Sequence, residues 1–320
     1  MRFVGIGNAL LDLAAAVEEG FPPRCGFHTG MSSHVSTGRA EALAGELEKP
    51  NVSAGGGAAN AARVAAALGA EAAFVGTVGG DARGRHYRDD LAAAGVEVLL
   101  GDSPHPTGLF LALVEPCSRR TVVVAPGAAV DLGEGEVPDS AFVPGGVLYL
   151  EGFLAARRDF LSYLAARGAG AGMTVVLDVG SYALARRESA FLLALLEGPV
   201  DLAFMNEDEF HALTGTAVRE GLPLLAADGL EVVVKRAERG AIWACSGELI
   251  ESPVRAIEAV DETGAGDAFA AGFLCARDQG LAPERALRAA NRVAGEVVRE
   301  LGCSPDPERI RRAFDSVAWS

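Results

Sequence analysis

Lysine is almost missing from this chain. Among 28 basic residues only Lys49 and Lys235 are lysines, and neither lies in a Gly-x-x-x-x-Gly-Lys context. A P-loop is therefore excluded, and any bound phosphate must be held by backbone amides, arginine or metal. Aromatic side chains are also scarce, at 6% of 320 residues, which suits close packing of Ala-, Val-, Leu- and Gly-rich helices on sheet. Cysteine pairs are absent: Cys25, Cys117, Cys245, Cys275 and Cys303 are scattered without a Cys-x-x-Cys motif or a neighbouring histidine. That pattern argues against a disulfide framework or zinc site and for reduced thiols in a cytoplasmic protein. Positive charge is outnumbered, with 28 Lys and Arg against 43 Asp and Glu, a net charge of −15. A general nucleic-acid or anionic-membrane surface wants clustered cations and is disfavoured, whereas small phosphate ligands answer to local fields. The N-terminus runs quickly into Val4-Gly5-Ile6-Gly7-Asn8, with no signal peptide or membrane span evident.

What the chain does have is an alternation of short apolar runs with helix-forming segments. Strands are predicted over 2–6, 72–77, 147–150, 175–179, 202–205 and 231–235. Helices are predicted over 39–47, 61–68, 83–94, 157–166, 188–196, 221–227, 283–299 and 308–314. Repeated βα units point to an α/β fold with a central, mainly parallel sheet flanked by helices. The runs 96–100, 108–114 and 121–125 follow one another with no helix between, so they are assigned to a small antiparallel sheet that covers the site. A single domain over 1–320 is expected, with a lid from insertions around 12–37 and 96–125. Its strand edges leave room for a homodimer.

The stretch Asp261-Glu262-Thr263-Gly264-Ala265-Gly266-Asp267 reads as a loop that opens a helix. Amides of Gly264, Ala265 and Gly266 would then lie at a helix N-terminus, where unpaired N–H groups and the dipole favour an anion. Asp267 in that first turn would repel the same anion unless it faces a second substrate and takes a proton from its hydroxyl, with the helix start keeping it ionised. The bland alternative is an ordinary loop whose aspartate stabilises the helix end. Asn51 to Asn60 is the second informative stretch, because Gly55, Gly56 and Gly57 would let a polyhydroxy ligand lie on the backbone while Asn60 bonds its hydroxyls. Tight packing alone is the competing reading. Asp12 sits in an otherwise apolar strand pattern. Met205-Asn206-Glu207-Asp208-Glu209 ends a strand, where its acids either hold Mg²⁺ through water or begin a helix. Asn291 suits packing against a flat base. A Gly-x-Gly-x-x-Gly fingerprint after the first strand is missing, which counts against a nicotinamide dehydrogenase.

These pieces, in order, resemble the ribokinase-like (PfkB) family of carbohydrate and nucleoside kinases from Gly5 to about Cys303. The likeness rests on Gly7-Asn8-Ala9-Leu10-Leu11-Asp12, Gly55 to Asn60 with Val75 to Asp81, Asn206 to Glu209, and Asp261 to Phe269. It implies a β lid and transfer of the γ-phosphoryl of ATP to a primary alcohol. Asp267 would be the base, and the amides of Gly264, Ala265 and Gly266 the anion hole. Asp12, Gly56, Gly57, Asn60 and Arg120 would contact substrate, and Asn206, Lys235, Gly264, Gly266 and Asn291 the nucleotide. Asn206 and Glu209 would organise Mg²⁺, and Asp261 would lie near a loop that binds a monovalent cation, K⁺, in some members. Glu262 stands where the family commonly has a small polar residue, Gly57 replaces a frequent serine, and the lid turn Pro116 to Arg120 is less acidic than usual. These departures motivate a second hypothesis, a sugar- or nucleotide-binding sensor without turnover. The Gly7 to Asp12 segment and the lid resemble the adenosine-kinase-like branch, with fructose, ribose and keto-deoxy sugar acids still open. Lid side chains such as Phe27, His34 and Phe110 would set selectivity.

Overall fold

The computed structural model describes every residue except 117, 118, 255, 256, 258, 319 and 320. Nine strands form the large sheet: β1 (Arg2–Ile6), β5 (Glu71–Gly79), β6 (Glu97–Ser103), β9 (Val147–Glu151), β10 (Thr174–Asp178), β11 (Leu202–Asn206), β12 (Glu231–Lys235), β13 (Ala241–Cys245) and β14 (Glu248–Ser252). Their order is β14-β13-β12-β11-β10-β9-β1-β5-β6, parallel throughout except that β13 runs antiparallel to β12 and β14. Successive residues of each strand face opposite layers, and both are filled. Phe3, Phe74, Tyr149, Val176, Phe204 and Val233 join a core with the helices at Gly57–Ala67, Ala265–Asp278 and Pro283–Val297. Val4, Val75, Leu148, Leu150, Val175, Leu177 and Val234 join the other, with Arg158–Gly170 and Glu207–Thr214. Burial on both faces explains why these strands read as unbroken apolar runs.

The small sheet has five strands, β2 (Leu10–Ala16), β3 (Ser32–His34), β4 (Asn51–Gly55), β7 (Gly108–Glu115) and β8 (Arg119–Ala125), in the order β3-β8-β7-β2-β4. It is mixed, because β2 pairs with β7 in parallel and with β4 antiparallel. The expected lid boundary is corrected at one end. The run at 96–100 does not belong to it: β6 pairs in parallel with β5 and closes the edge of the large sheet. In exchange β4 joins the small sheet, contributing the strand that leads into the Gly57–Ala67 helix. One face of the small sheet, with Leu11, Leu109, Leu111 and Val123, packs into the core beside Ala40 and Leu43. The other carries the cross-strand row Asp12, Phe110, Val124, His34.

Short connections tie the two sheets together. Only Gly7, Asn8 and Ala9 separate β1 from β2, and Gly56 alone separates β4 from its helix. Gly56 adopts φ 98°, and a Cβ there would lie 2.1 Å from the Asn8 carbonyl oxygen, so glycine is required on both counts.

Candidate active site

Because the parallel strands run the same way, their C-terminal ends line one rim, the usual ligand edge of an α/β sheet. Asn8 follows β1, and Glu151, Asp178, Asn206 and Lys235 end β9, β10, β11 and β12. Register sets Asp178 beside Glu151 and Asn206 beside Lys235. The helix at Ala265–Asp278 starts against this rim, with Gly264 as its N-cap at φ 76°.

Asp267 and Asn60 meet. The Asn60 side-chain amide donates to Asp267 Oδ2 at 2.9 Å, joining stretches 207 residues apart. A Cβ on Gly57 would lie 3.2 Å from Asp267 Oδ1, so this bare backbone forms the wall beside the carboxylate. Burial and then the Asp178 charge push Asp267 up to about 6, against the opposing pull of Asn60 and Lys235. The helix start does not dominate as expected, but a carboxylate in that range is still mostly ionised at neutral pH and better matched to proton abstraction. Among the anion-hole amides, Ala265 N–H donates to the Glu262 carbonyl at 3.2 Å, while Gly264 and Gly266 donate to no described residue. The Gly264 backbone rests on Cys303, whose Sγ would lie 2.0 Å from a Cβ there.

Asp12 lies on the lid side of the same site. It is 5% exposed, its Oδ1 has no hydrogen-bond partner, and burial followed by Asp267 raises its pKa well above the usual range. Asn60 Oδ1 is likewise buried and unpartnered. A Cβ on Gly55 would meet the Asp12 carboxylate at 2.0 Å, which explains the first glycine of that run. Gly56 acts through its backbone conformation.

Other expected residues have protein partners. Arg120 Nη1 donates to Thr263 Oγ1 at 2.6 Å and lies 3.7 Å from Asp261, bridging the lid to the loop before the helix. Asp261 accepts from Thr263 N–H and hydroxyl and from Gly302 N–H, and so organises that loop. Asn206 and Glu209 form a reciprocal helix cap: Asn206 Oδ1 accepts from Glu209 N–H and Glu209 Oε2 from Asn206 N–H, each at 2.8 Å. Burial pushes Glu209 up to about 7. No cluster of three or more metal-ligating His, Cys, Asp or Glu side chains occurs among the described residues. Asn291 bonds Ser252 at 3.3 Å, tying its helix to β14. Phe27 is core, while Phe110 is half-buried opposite Asp12 and His34 is exposed. Part of the lid turn, Cys117 and Ser118, lies outside the described residues.

Two rim acids lie outside the residues singled out from the sequence. Glu151 accepts the backbone N–H of Asn8 at 2.7 Å and its side-chain amide, and burial pushes it up to about 7. Asp178 Oδ2 accepts from Lys235 Nζ at 2.8 Å and from the Tyr149 hydroxyl at 3.0 Å. An acid closing an apolar strand, as in Val147-Leu148-Tyr149-Leu150-Glu151 and Val175-Val176-Leu177-Asp178, was the available signal. Two surface cavities of about 600 and 540 Å³ lie elsewhere, beside Arg157 and behind Arg63.

Comparison with known proteins fits this arrangement. The adenosine kinase structure from Sinorhizobium meliloti superposes with a TM-score of 0.90 at 29% identity, covering 98% of this chain and 99% of that one. A probable sugar kinase from Rhizobium etli gives 0.91 at 27% identity over 99% and 98%. In sequence, an ATP-dependent ribose-1-phosphate kinase from Halopiger xanaduensis is 31% identical over 75% of this chain and 78% of its own length. Residues 32–309, which hold the Asn60–Asp267 pair and the whole C-terminal half of the rim, match the pfkB family carbohydrate kinase profile, and the chain belongs to that family.

Proposed function

We propose that the protein transfers the γ-phosphoryl group of ATP to a primary hydroxyl of a nucleoside or sugar, with Asp267 as base. The Asn60–Asp267 hydrogen bond carries this reading, because it joins the glycine-lined segment to a carboxylate in the first turn of a helix whose Gly264 and Gly266 amides are unspent. The acceptor oxygen attacks the γ-phosphorus as its proton passes to Asp267. The new O–P bond forms as the bond to the β,γ-bridging oxygen breaks, and ADP leaves. Amides at the helix start are aimed where charge develops on the phosphoryl oxygens, and positioning supplies much of the rest. Mg²⁺ arriving with the triphosphate would neutralise phosphate charge, with Asn206 and Glu209 acting on its water shell, since one side-chain oxygen of each is engaged in their mutual cap.

Among acceptors, a nucleoside is favoured. The row Asp12, Phe110, Val124 sets a half-buried aromatic ring and an apolar side chain next to the hydroxyl-binding acid, a surface suited to a flat base. A nucleoside kinase from Methanothermobacter thermautotrophicus, 27% identical over 80% of this chain, is in line with it. Four free thiols among the described residues support a reducing, cytoplasmic setting. The exposed edge of β3 would serve a homodimer through the lid. K⁺ near Asp261 would act on loop backbone, since Asp261 is occupied by protein donors.

The test is ATP consumption across a panel of nucleosides and free sugars, with phosphorus NMR of the product. Turnover with a nucleoside and a primary phosphate ester is expected. Ligand-linked stabilisation without turnover on any acceptor would instead favour a sensor.

A further inference from the structure

In a chain that uses arginine for nearly every cation, one half-buried lysine stands at the place where the sheet rim meets the helix start. We propose that Lys235 is the cation that meets the phosphoryl group in transfer, held in place by Asp178 and, behind it, by Tyr149. The proposal rests on the kinase reading above and deepens it.

Three observations converge. A Cβ added to Gly266 would lie 3.0 Å from Lys235 Nζ, so the ammonium stands against the first turn of the helix with no side chain between it and the amides. That compact point charge fits where a planar guanidinium would need more room. An ammonium has three N–H donors, and only the bond to Asp178 Oδ2, at 2.8 Å, is made to a described residue. Two donors remain for a ligand. Other cations near the site are committed, Arg120 to Thr263 and Asp261, and Arg63 to Asp90 and the Ala54 carbonyl.

The tether is built to hold position. Lys235 ends β12 and is 16% exposed in its side chain, and Asp178 ends β10 at 7%. The Tyr149 hydroxyl, from the neighbouring β9, donates at 3.0 Å to the same carboxylate oxygen, fixing its orientation from within the core. Burial opposes the lysine charge, but Asp178 and Glu209 outweigh it and leave the ammonium protonated. The charge is thus fixed before any nucleotide arrives, which is what electrostatic stabilisation of a transfer step requires.

Replacing Lys235 alone would strand a buried carboxylate, so the informative variant is the double change Lys235→Met with Asp178→Asn, which removes both charges and keeps an acceptor for Tyr149. Calorimetric binding of a non-hydrolysable ATP analogue and of ADP, each with Mg²⁺, is compared between this variant and wild type, alongside steady-state kinetics. Affinity for the analogue should fall at least tenfold and ADP affinity less than threefold, with kcat down about a hundredfold and acceptor KM within threefold. Lys235→Arg should recover part of the binding difference. A folded double variant with kcat and analogue affinity within threefold of wild type overturns the proposal, as does an equal loss of both nucleotides. Should wild type phosphorylate nothing, the kinase reading falls, while the binding comparison still decides what the lysine does.

Discussion

The lid side of the site and the rim side treat buried polar atoms in opposite ways. Facing the lid, Asp12 Oδ1 and Asn60 Oδ1 are buried with no hydrogen-bond partner, and Asp12 also feels the like charge of Asp267. Along the rim, Asp178 accepts from Lys235 and Tyr149, Glu209 and Asn206 cap each other, and Asp261 accepts three donors. An unsatisfied buried polar group costs about 1–3 kcal/mol. Such a cost persists where a ligand recovers it, so the lid side behaves as a mould for hydroxyl groups and the rim as a finished electrostatic frame.

Removing the group that joins the two sides should have the largest effect. Asp267→Asn is expected to lower kcat by about a thousandfold or more while nucleotide binding, measured by calorimetry, stays near wild type. Turnover close to normal would take the base role from Asp267.

A smaller effect separates the sides. Asp12→Asn should raise acceptor KM by about 10²-fold with little change in nucleotide KM, and should raise thermal stability by about 1 kcal/mol, because it removes an acid whose charged form is disfavoured first by burial and then by Asp267. A fall in stability would mean that Asp12 is a structural anchor instead.

Changing pH tests the comparison without mutation. Asp267 titrates near 6, and its protonated form cannot accept a proton. Below about pH 6, kcat/KM should therefore fall about tenfold per pH unit and level off above about pH 7. A flat acid limb would count against a carboxylate base.

The mildest prediction concerns the frame. Asn206→Ala removes one half of the reciprocal cap and should cost about 1 kcal/mol in denaturant unfolding. A much larger loss of turnover than of stability would give Asn206 a direct nucleotide role.

Much of this is legible in the sequence. The parallel strands announce themselves because both faces are buried, so Val175 to Asp178 and Leu202 to Met205 read as apolar runs. The loop before Asp267 and the glycines before Asn60 carry their own signals in backbone requirements. What sequence order could not show was pairing. β6 is more exposed than its neighbours, as a lid strand would be, yet a parallel partner in β5 claims it for the large sheet. β13 and β14 carry a weak sequence signal, since Ala241 to Cys245 mixes small and aromatic residues and the hairpin sits at an edge. Glu151 and Asp178 lack any local motif, and only the register of β9 against β10 aligns them on the rim.

The shortage of lysine gives the molecule a built-in reporter. Lys49 is exposed in a loop and Lys235 is enclosed at the rim. Isotope-labelled lysine would therefore yield two side-chain signals, one typical of free solvent and one displaced by its carboxylate neighbour. The second would follow nucleotide arrival and departure without the addition of any foreign probe.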